Sequence, residues 1–118
     1  MAYVDGYVCA VKKDRIEAYK KMAADCAVVW KEFGATRTVE TIADDVPYGE
    51  VTSFPRAVQA QDDETVIFSW IEYPDKATRD ACNARVMADP RMQCDMVAAG
   101  MNMKTLIFGG FAPFLDNG

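Results

Sequence analysis

The fold is decided by one stretch, Thr65–Arg85, which reads TVIFSWIEYPDKATRDACNAR and predicts a buried strand that leads directly into a helix. Residues 65–73 are rich in β-branched and aromatic side chains, which favour extended structure. Side chains on a strand alternate between its two faces. Here both faces are apolar: one carries Val66, Phe68 and Trp70, and the other carries Ile67, Ser69, Ile71 and Tyr73. A strand of this kind is expected to be covered on both faces, and the following helix can cover one of them.

The length and hydrophobicity of the chain predict one globular domain. We treat residues 1–118 as that single domain, since 118 residues is a typical domain size. A hydrophobic fraction of 51% argues against disorder, and no apolar run approaches the roughly 20 residues that span a bilayer. Near the N-terminus, Asp5 precedes Lys12 and Lys13, which is the reverse of a secretory signal. We therefore expect a cytoplasmic protein with no membrane partner.

Charge and residue content exclude several function classes. The formal net charge of -5 repels nucleic-acid backbones, so we expect no nucleic-acid partner. The chain has no histidine, which excludes histidine-ligated haem or zinc and catalysis by an imidazole base. Four cysteines without a C-x-x-C pair are expected to be free thiols. Asp44 and Asp45, with Glu40 nearby, could offer oxygen ligands to a cation, but adjacent aspartates are typical of turns. We predict no metal site and no cofactor.

Further elements are predicted on either side of the central stretch. The predicted strands are Tyr3–Val11, Thr36–Ala43 at a sheet edge, and Lys104–Phe114, and the first helix runs from an Asp14/Glu17 capping box to Gly34. Two rows of small residues are expected to let helices lie close on the sheet: Val4, Gly6, Val8 and Ala10 on the first strand, and Ala77, Ala81, Ala84 and Ala88 on the second long helix. Asp89-Pro90 is expected to end that helix and to start a short one. The long loop Asp44–Glu64 is expected to contain a short strand at Arg56–Ala60.

The order of these elements predicts a ferredoxin-like fold. It is an α+β arrangement, βαββαβ, in which the first and third strands lie at the centre of an antiparallel sheet and the helices cover one face. The other face is left open. Since the central strand is apolar on both sides, we expect the open face to pack against the same face of a second copy. The product is a homodimer whose two sheets form a dimeric α+β barrel.

Five segments of the chain resemble the YbaA-like family of small bacterial proteins of unknown function. They are YVDGYV at Tyr3–Val8, DDVPYGEVTSFPRAV at Asp44–Val58, ETVIFSWIEY at Glu64–Tyr73, RDACNARVMADPRM at Arg79–Met92 and GMNMKTLIFGGF at Gly100–Phe111. The resemblance implies a dimeric α+β barrel and no established activity. The wider superfamily includes antibiotic-type monooxygenases and isomerases, and its histidine-dependent members offer no template for a chain without histidine.

Asp5 is the first candidate for chemistry, because it lies mid-strand between Tyr3 and Tyr7 on the face that we assign to the barrel. A carboxylate removed from water needs hydrogen bonds or a cation, or it becomes protonated. Either a tyrosine, an arginine or the partner chain satisfies Asp5, or it serves as a general base or ligand anchor. We predict Asp5, Tyr7 and Arg79 as catalytic candidates.

A second set of residues is predicted to bind a ligand: Trp70, Asn83, Glu40 and Ser53. Trp70 serves either in the core or as the lining of a pocket. Asn83 lies one turn from Arg79, and the two could bind a carboxylate or enolate oxygen, although an exposed Asp75–Arg79 pair is the simpler interpretation. Ser53 has no histidine to activate it as a nucleophile.

Together these features predict a homodimeric small-molecule enzyme or binding protein that needs no cofactor. Its pocket is expected at the sheet face or inside the barrel. The alternative is a non-catalytic dimeric module with a stress-associated or regulatory role. A cavity with converging polar groups favours the first interpretation, and a barrel filled by side chains favours the second. The residues name neither a substrate nor a reaction.

Overall fold

A four-stranded antiparallel sheet forms the frame of the protein. The computed structural model describes residues 2–93 and 95–118, so the predicted free thiol at Cys94 lies outside the described residues. In spatial order the strands are β2 (Arg37–Ile42), β3 (Glu64–Tyr73), β1 (Tyr3–Lys12) and β4 (Ile107–Phe111). The central positions of β1 and β3 and the edge position of β2 are confirmed.

The helices connect the strands in the predicted order. They are α1 (Ile16–Glu32), a single turn α2 (Phe54–Ala57) and α3 (Lys76–Ala88), with 3-10 turns at Lys13–Arg15 and Pro90–Met92. The Asp75 Oδ1 accepts a hydrogen bond of 2.7 Å from the Thr78 N–H and so caps α3. Asp89 caps the second 3-10 turn in the same way. The start of the short helical turn that we placed at Asp89-Pro90 is therefore confirmed.

The two ends of α1 give opposite outcomes. Gly34 has a φ of 127°, and the N–H groups of Gly34 and Ala35 donate to the carbonyls of Lys31 and Trp30, which is the pattern of a Schellman motif. The predicted stop is therefore confirmed. The predicted capping box is wrong, because Asp14 lies within the 3-10 turn and no side chain caps the start of α1.

The core lies between the sheet and the two long helices. One cluster consists of Val29, Ala35, Ile71, Tyr73, Cys82 and Val86, and a second consists of Cys9, Val11, Tyr19 and Ile67. Both clusters take their β3 residues from the Ile67–Tyr73 row, as its alternation predicts. The row of Val66, Phe68 and Trp70 consequently points to the opposite face.

Two predictions about helix packing are wrong. The row Val4, Gly6 and Val8 of β1 faces away from α1 and α3, while the row of Tyr3, Tyr7 and Cys9 faces them. Large side chains are needed to fill the gap between a sheet and its helices, and the small row cannot fill it. The four alanines of α3 are exposed, because the helix turns Cys82 and Val86 to the core instead.

The long loop between β2 and β3 is anchored to the other face. The predicted strand at Arg56–Ala60 is wrong, because residues of this segment form the turn α2 and its exit. Val58 is fully buried against Ala10 and Val66. The loop thus covers one end of the face that the helices leave open.

Candidate functional site

The sheet face opposite α1 and α3, which we call the open face, forms a concavity of about 650 Å³. Its lining is almost entirely apolar and consists of Val4, Gly6, Tyr7, Val8, Phe68, Trp70, Glu72, Ile107, Phe108, Gly109 and Phe111. The lining residues come from β1, β3 and β4. Because β1 pairs in antiparallel register with both other strands, the shape of the concavity is set by the sheet itself.

Glycines form the floor of this concavity. Gly6 on β1 pairs with Gly109 on β4, so no side chain rises from the middle of the floor. A Cβ added to either glycine would lie 3.7 Å from the Phe111 Cε1, which is ordinary van der Waals contact. The volume therefore exists because two side chains are missing, and a larger residue at either position would fill it.

Aromatic rings form one wall. The rings of Phe68 and Trp70 meet edge to face with centroids 5.8 Å apart, and Phe54 of the long loop meets Phe68 at 5.6 Å. These contacts link the loop to the open face. Phe111, across the concavity, is 64% exposed.

One end of the open face is polar. The Trp70 Nε1–H donates to the Glu72 Oε2 at 2.9 Å, and the Nη1 of Arg37 lies 3.6 Å from the same oxygen. Arg37 and Glu72 are opposite each other in the β2–β3 register. Our sequence interpretation missed both residues. The signal was present, because Glu72 lies two residues after Trp70 and therefore shares its face.

Asp5 faces the helices, so its predicted place on the barrel face is wrong. The residue is 3% exposed. Its carboxylate accepts hydrogen bonds from the Arg79 Nε at 3.0 and 3.1 Å, and the Arg79 Nη2 lies 2.8 Å from the Oδ1. Arg79 also reaches Asp80 at 3.0 Å, whereas Asp75 caps α3 and does not form the predicted pair with Arg79. Hydrogen bonding to Asp5 raises the pKa of Arg79. A catalytic role for these residues stays a prediction.

Tyrosines surround this buried ion pair. Burial is the largest cause that raises the pKa of Tyr7, followed by the charge of Asp5. The Tyr7 ring stacks on Phe108 with centroids 6.2 Å apart. The Tyr73 hydroxyl donates to the Asn83 Oδ1 at 3.4 Å, which places Asn83 at the rim of the same cluster. The structure thus brings Asp5, Tyr7 and Arg79 together, on the helix side of the sheet.

The remaining predicted residues lie elsewhere. Glu40 faces α1 and accepts a hydrogen bond of 2.6 Å from the Tyr19 hydroxyl, and desolvation raises the pKa of its carboxyl despite that bond. Burial raises the pKa of the neighbouring Cys9 to about 12. Ser53 accepts from the Arg56 N–H and caps α2. Of the seven predicted site residues, the lining of the concavity includes Trp70, which belongs to the open face, and Tyr7, whose ring packs on the helix side.

Within residues 2–93 and 95–118, no group of three or more acidic or sulfur side chains is placed to hold a metal ion. No helix in the same part of the chain is long and apolar enough to cross a bilayer.

Solved structures share this fold at low sequence identity. SnoaB, described as a cofactor-independent oxygenase from Streptomyces nogalater, superposes with a TM-score of 0.62 at 13% identity over 98% of this chain and 96% of its own. A NIPSNAP domain protein from Burkholderia xenovorans superposes with a TM-score of 0.60 at 14% identity, over 98% of this chain and 99% of its own. A dimeric ferredoxin-like protein from an uncultured marine organism superposes with a TM-score of 0.52 at 14% identity, over 94% of this chain and 92% of its own. The fold is therefore ferredoxin-like, of the α+β barrel type.

Sequence comparison identifies much nearer relatives. The uncharacterized protein YbaA of Escherichia coli strain K12 is 51% identical over 116 residues, which cover 98% of this chain and 99% of the relative. A protein of the same description from Shigella flexneri matches to the same extent. The model of a family described as "Protein of unknown function (DUF1428)" matches residues 2–104. The chain therefore belongs to the DUF1428 family of bacterial YbaA-like proteins.

Proposed function

We propose that this protein is a homodimer that holds a small molecule with an apolar body between the open faces of its two sheets, as an enzyme without a cofactor or as a binding protein. One observation carries the proposal: the concavity of about 650 Å³ is apolar, has a glycine floor, and ends in the hydrogen-bonded pair Trp70–Glu72. Ligand sites in proteins are typically apolar concavities of this size with a few placed polar groups.

A second copy is the natural cover for the open face. Large apolar side chains stand exposed on it, with Phe68 at 41% and Ile107 at 46%. Exposed apolar patches that are continuous mark interaction surfaces in soluble proteins. Because a two-fold dimer places the same patch on both subunits, each open face would cover the other and the two concavities would face one another.

The C-terminal segment supports the same assembly. The run from Thr105 to Leu115 contains no charged residue. Phe114 is 98% exposed and Leu115 is 76% exposed, directly after the edge strand β4. An uncharged edge strand followed by exposed apolar residues favours association with another chain.

Catalysis without a cofactor is the enzymatic form of this proposal. The similar structure of SnoaB, described as a cofactor-independent oxygenase, supports it at the level of the fold. The non-catalytic form is favoured by a different observation. Asp5 and Arg79 satisfy each other on the helix side of the sheet, so neither presents an unpaired charge to the open face.

A thermal-shift screen of a metabolite collection tests the proposal. Ligands that bind a folded protein raise its melting temperature by mass action. Hits should stabilise the parent, and Gly6→Val, which fills the floor, should lose that stabilisation. Ala84→Val adds bulk at an exposed position of α3 and serves as the control. Equal stabilisation of the parent and Gly6→Val, or the absence of any hit, contradicts the proposal.

Turnover is then tested with each hit. The hit is incubated with the parent and with Asp5→Asn, and product is followed by mass spectrometry. Conversion by the parent that is lost in Asp5→Asn, while the folded variant still binds the hit, supports the predicted catalytic role of Asp5. Binding without conversion supports the binding protein.

A further inference from the structure

We propose that the ligand is an organic cation, an amine with an apolar body, and that Glu72 binds its charged group. The inference rests on the proposed function, because it names the ligand class for the same concavity. Among the described residues of the lining, Glu72 alone carries a charge. A ligand that fills an apolar concavity and also reaches its one carboxylate needs a positive or hydrogen-bond-donating end.

Glu72 is oriented and still accessible. The Trp70 indole N–H holds the Oε2 at 2.9 Å, which fixes the direction of the carboxylate. The side chain of Glu72 remains 33% exposed. Within the part of the chain that the structure describes, the contacts of the Glu72 carboxylate with Trp70 and Arg37 both involve the Oε2 and leave the Oε1 without a hydrogen bond. An incoming ammonium group can therefore bind the Oε1 without displacing the indole.

Arg37 does not occupy the position that a ligand cation would take beside the Glu72 carboxylate. Its Nη1 lies 3.6 Å from the Oε2, beyond hydrogen-bonding distance, and its side chain is 64% exposed. An exposed ion pair of this length contributes little to stability. Because it sits on the edge strand β2, it can turn toward solvent when a ligand cation arrives.

The aromatic wall adds a second reason for a cation. Trp70 lies next to Glu72, the ring of Phe68 meets the Trp70 ring at 5.8 Å, and Phe111 of β4 lines the same concavity. Ring faces attract cations through their quadrupoles, most strongly when water is excluded. A carboxylate among aromatic rings is therefore a site for an ammonium group. The net charge of -5 also draws cations toward the protein.

Matched probes separate this ligand class from the others. Calorimetry would compare 1-adamantylamine, 1-adamantanol and 1-adamantanecarboxylate, which share one apolar body and differ in charge. The set 2-phenylethylamine, 2-phenylethanol and phenylacetate repeats the comparison on a second body. In the parent we expect each amine to bind more tightly than its alcohol, and each carboxylate to bind most weakly.

Glu72→Gln tests the assigned residue, with Glu50→Gln, an exposed loop position, as the matched control. Hydrogen bonds to charged groups contribute about 1.5 to 3 kcal/mol, so the amines should lose at least about tenfold in affinity in Glu72→Gln and nothing in Glu50→Gln. The alcohols should change little.

Each outcome decides between the proposals. Equal binding of the amine and the alcohol, or an unchanged amine affinity in Glu72→Gln, overturns the ligand class but leaves the cavity intact. If a carboxylate probe binds more tightly than the amine with the same body, the ligand class is likewise overturned. If no probe binds the folded parent on either body, both the ligand class and the proposed function are contradicted.

Discussion

Arg79 on α3 holds the carboxylate of Asp5 on β1, with its Nη2 2.8 Å from the Oδ1 and its Nε at 3.0 and 3.1 Å from the two oxygens. The two residues are 74 positions apart in the sequence. This ion pair ties the helix layer to a central strand of the sheet. It lies on the same side of β1 as Tyr3, Tyr7 and Cys9, which pack in the core beneath the helices.

Removal of the arginine should destabilise the protein strongly. Arg79→Met leaves Asp5 buried without its cation, which typically costs about 3 to 5 kcal/mol of unfolding free energy. Asp5→Asn should cost less, because the exposed edge of Arg79 stays in contact with Asp80 and water. Urea denaturation of both variants measures the difference. A loss below about 1 kcal/mol in Arg79→Met would show that the pair does not hold the layers together.

The two consecutive glycines of β4, Gly109 and Gly110, should differ in how much stability an alanine substitution costs. A Cβ at Gly110 would lie 2.4 Å from the Tyr3 hydroxyl oxygen and 2.8 Å from the Arg79 Nη2. Gly110→Ala should therefore cost about 1 to 3 kcal/mol, as overpacking usually does. Gly109→Ala places its Cβ over the concavity, 3.7 Å from the Phe111 ring, and should be nearly neutral. Thermal unfolding of the two variants compares them, and equal effects would contradict the assignment of the two faces.

Asp75, which caps α3, and Asp14, which caps no helix, should differ when each is replaced by alanine. Asp75→Ala removes the bond to the Thr78 N–H, which lowers the pKa of Asp75 in the folded state. A carboxyl whose pKa is lowered by folding stabilises the protein above its unfolded pKa and loses that contribution as the pH falls. Asp75→Ala should therefore melt at a lower temperature than the parent at neutral pH, and the gap should narrow in acid. Because Asp14 caps no helix, Asp14→Ala should have the same melting temperature as the parent.

Glu40 should give the opposite pH dependence. Its pKa is raised in the folded state, chiefly by desolvation. The folded state then binds the proton more tightly than the unfolded state, so the contribution of Glu40 to stability is present below the unfolded pKa and is lost as the pH rises through the folded pKa. Glu40→Gln keeps an acceptor for Tyr19 without the charge. Its stability relative to the parent should increase between acidic and neutral pH in denaturant titrations, and a constant difference would contradict the raised pKa.

The sequence was sufficient for the topology because β3 carries clear information on both of its faces. The Ile67–Tyr73 row enters the core and the Phe68 and Trp70 row lines the open face, as period-two alternation requires. For β1 the same rule separated the two rows correctly, but we assigned each row to the wrong side of the sheet. Its small row resembles a surface for helix packing, and only the ion pair with a distant arginine shows that the tyrosine row packs there.

The site was harder to predict than the fold for a related reason. Trp70 was recognised by its size, and alternation along β3 places Glu72 on the same face, but Arg37 is an ordinary surface residue until the β2–β3 register places it opposite Glu72. Register depends on how the whole sheet pairs, which a local pattern does not show. Ser53 and Glu40 look like free polar groups in sequence, yet each one already bonds to a neighbour in the folded chain.

Sedimentation equilibrium at micromolar concentration tests most directly whether a second copy covers the open face. The parent should sediment at twice its chain mass of 13.1 kDa. Phe111→Lys, in the lining of the concavity, should sediment as a single chain, and Val28→Lys, at an exposed position of α1, should remain a dimer. A well-folded parent of single-chain mass at tens of micromolar, or a Phe111→Lys variant that stays dimeric, would contradict the account.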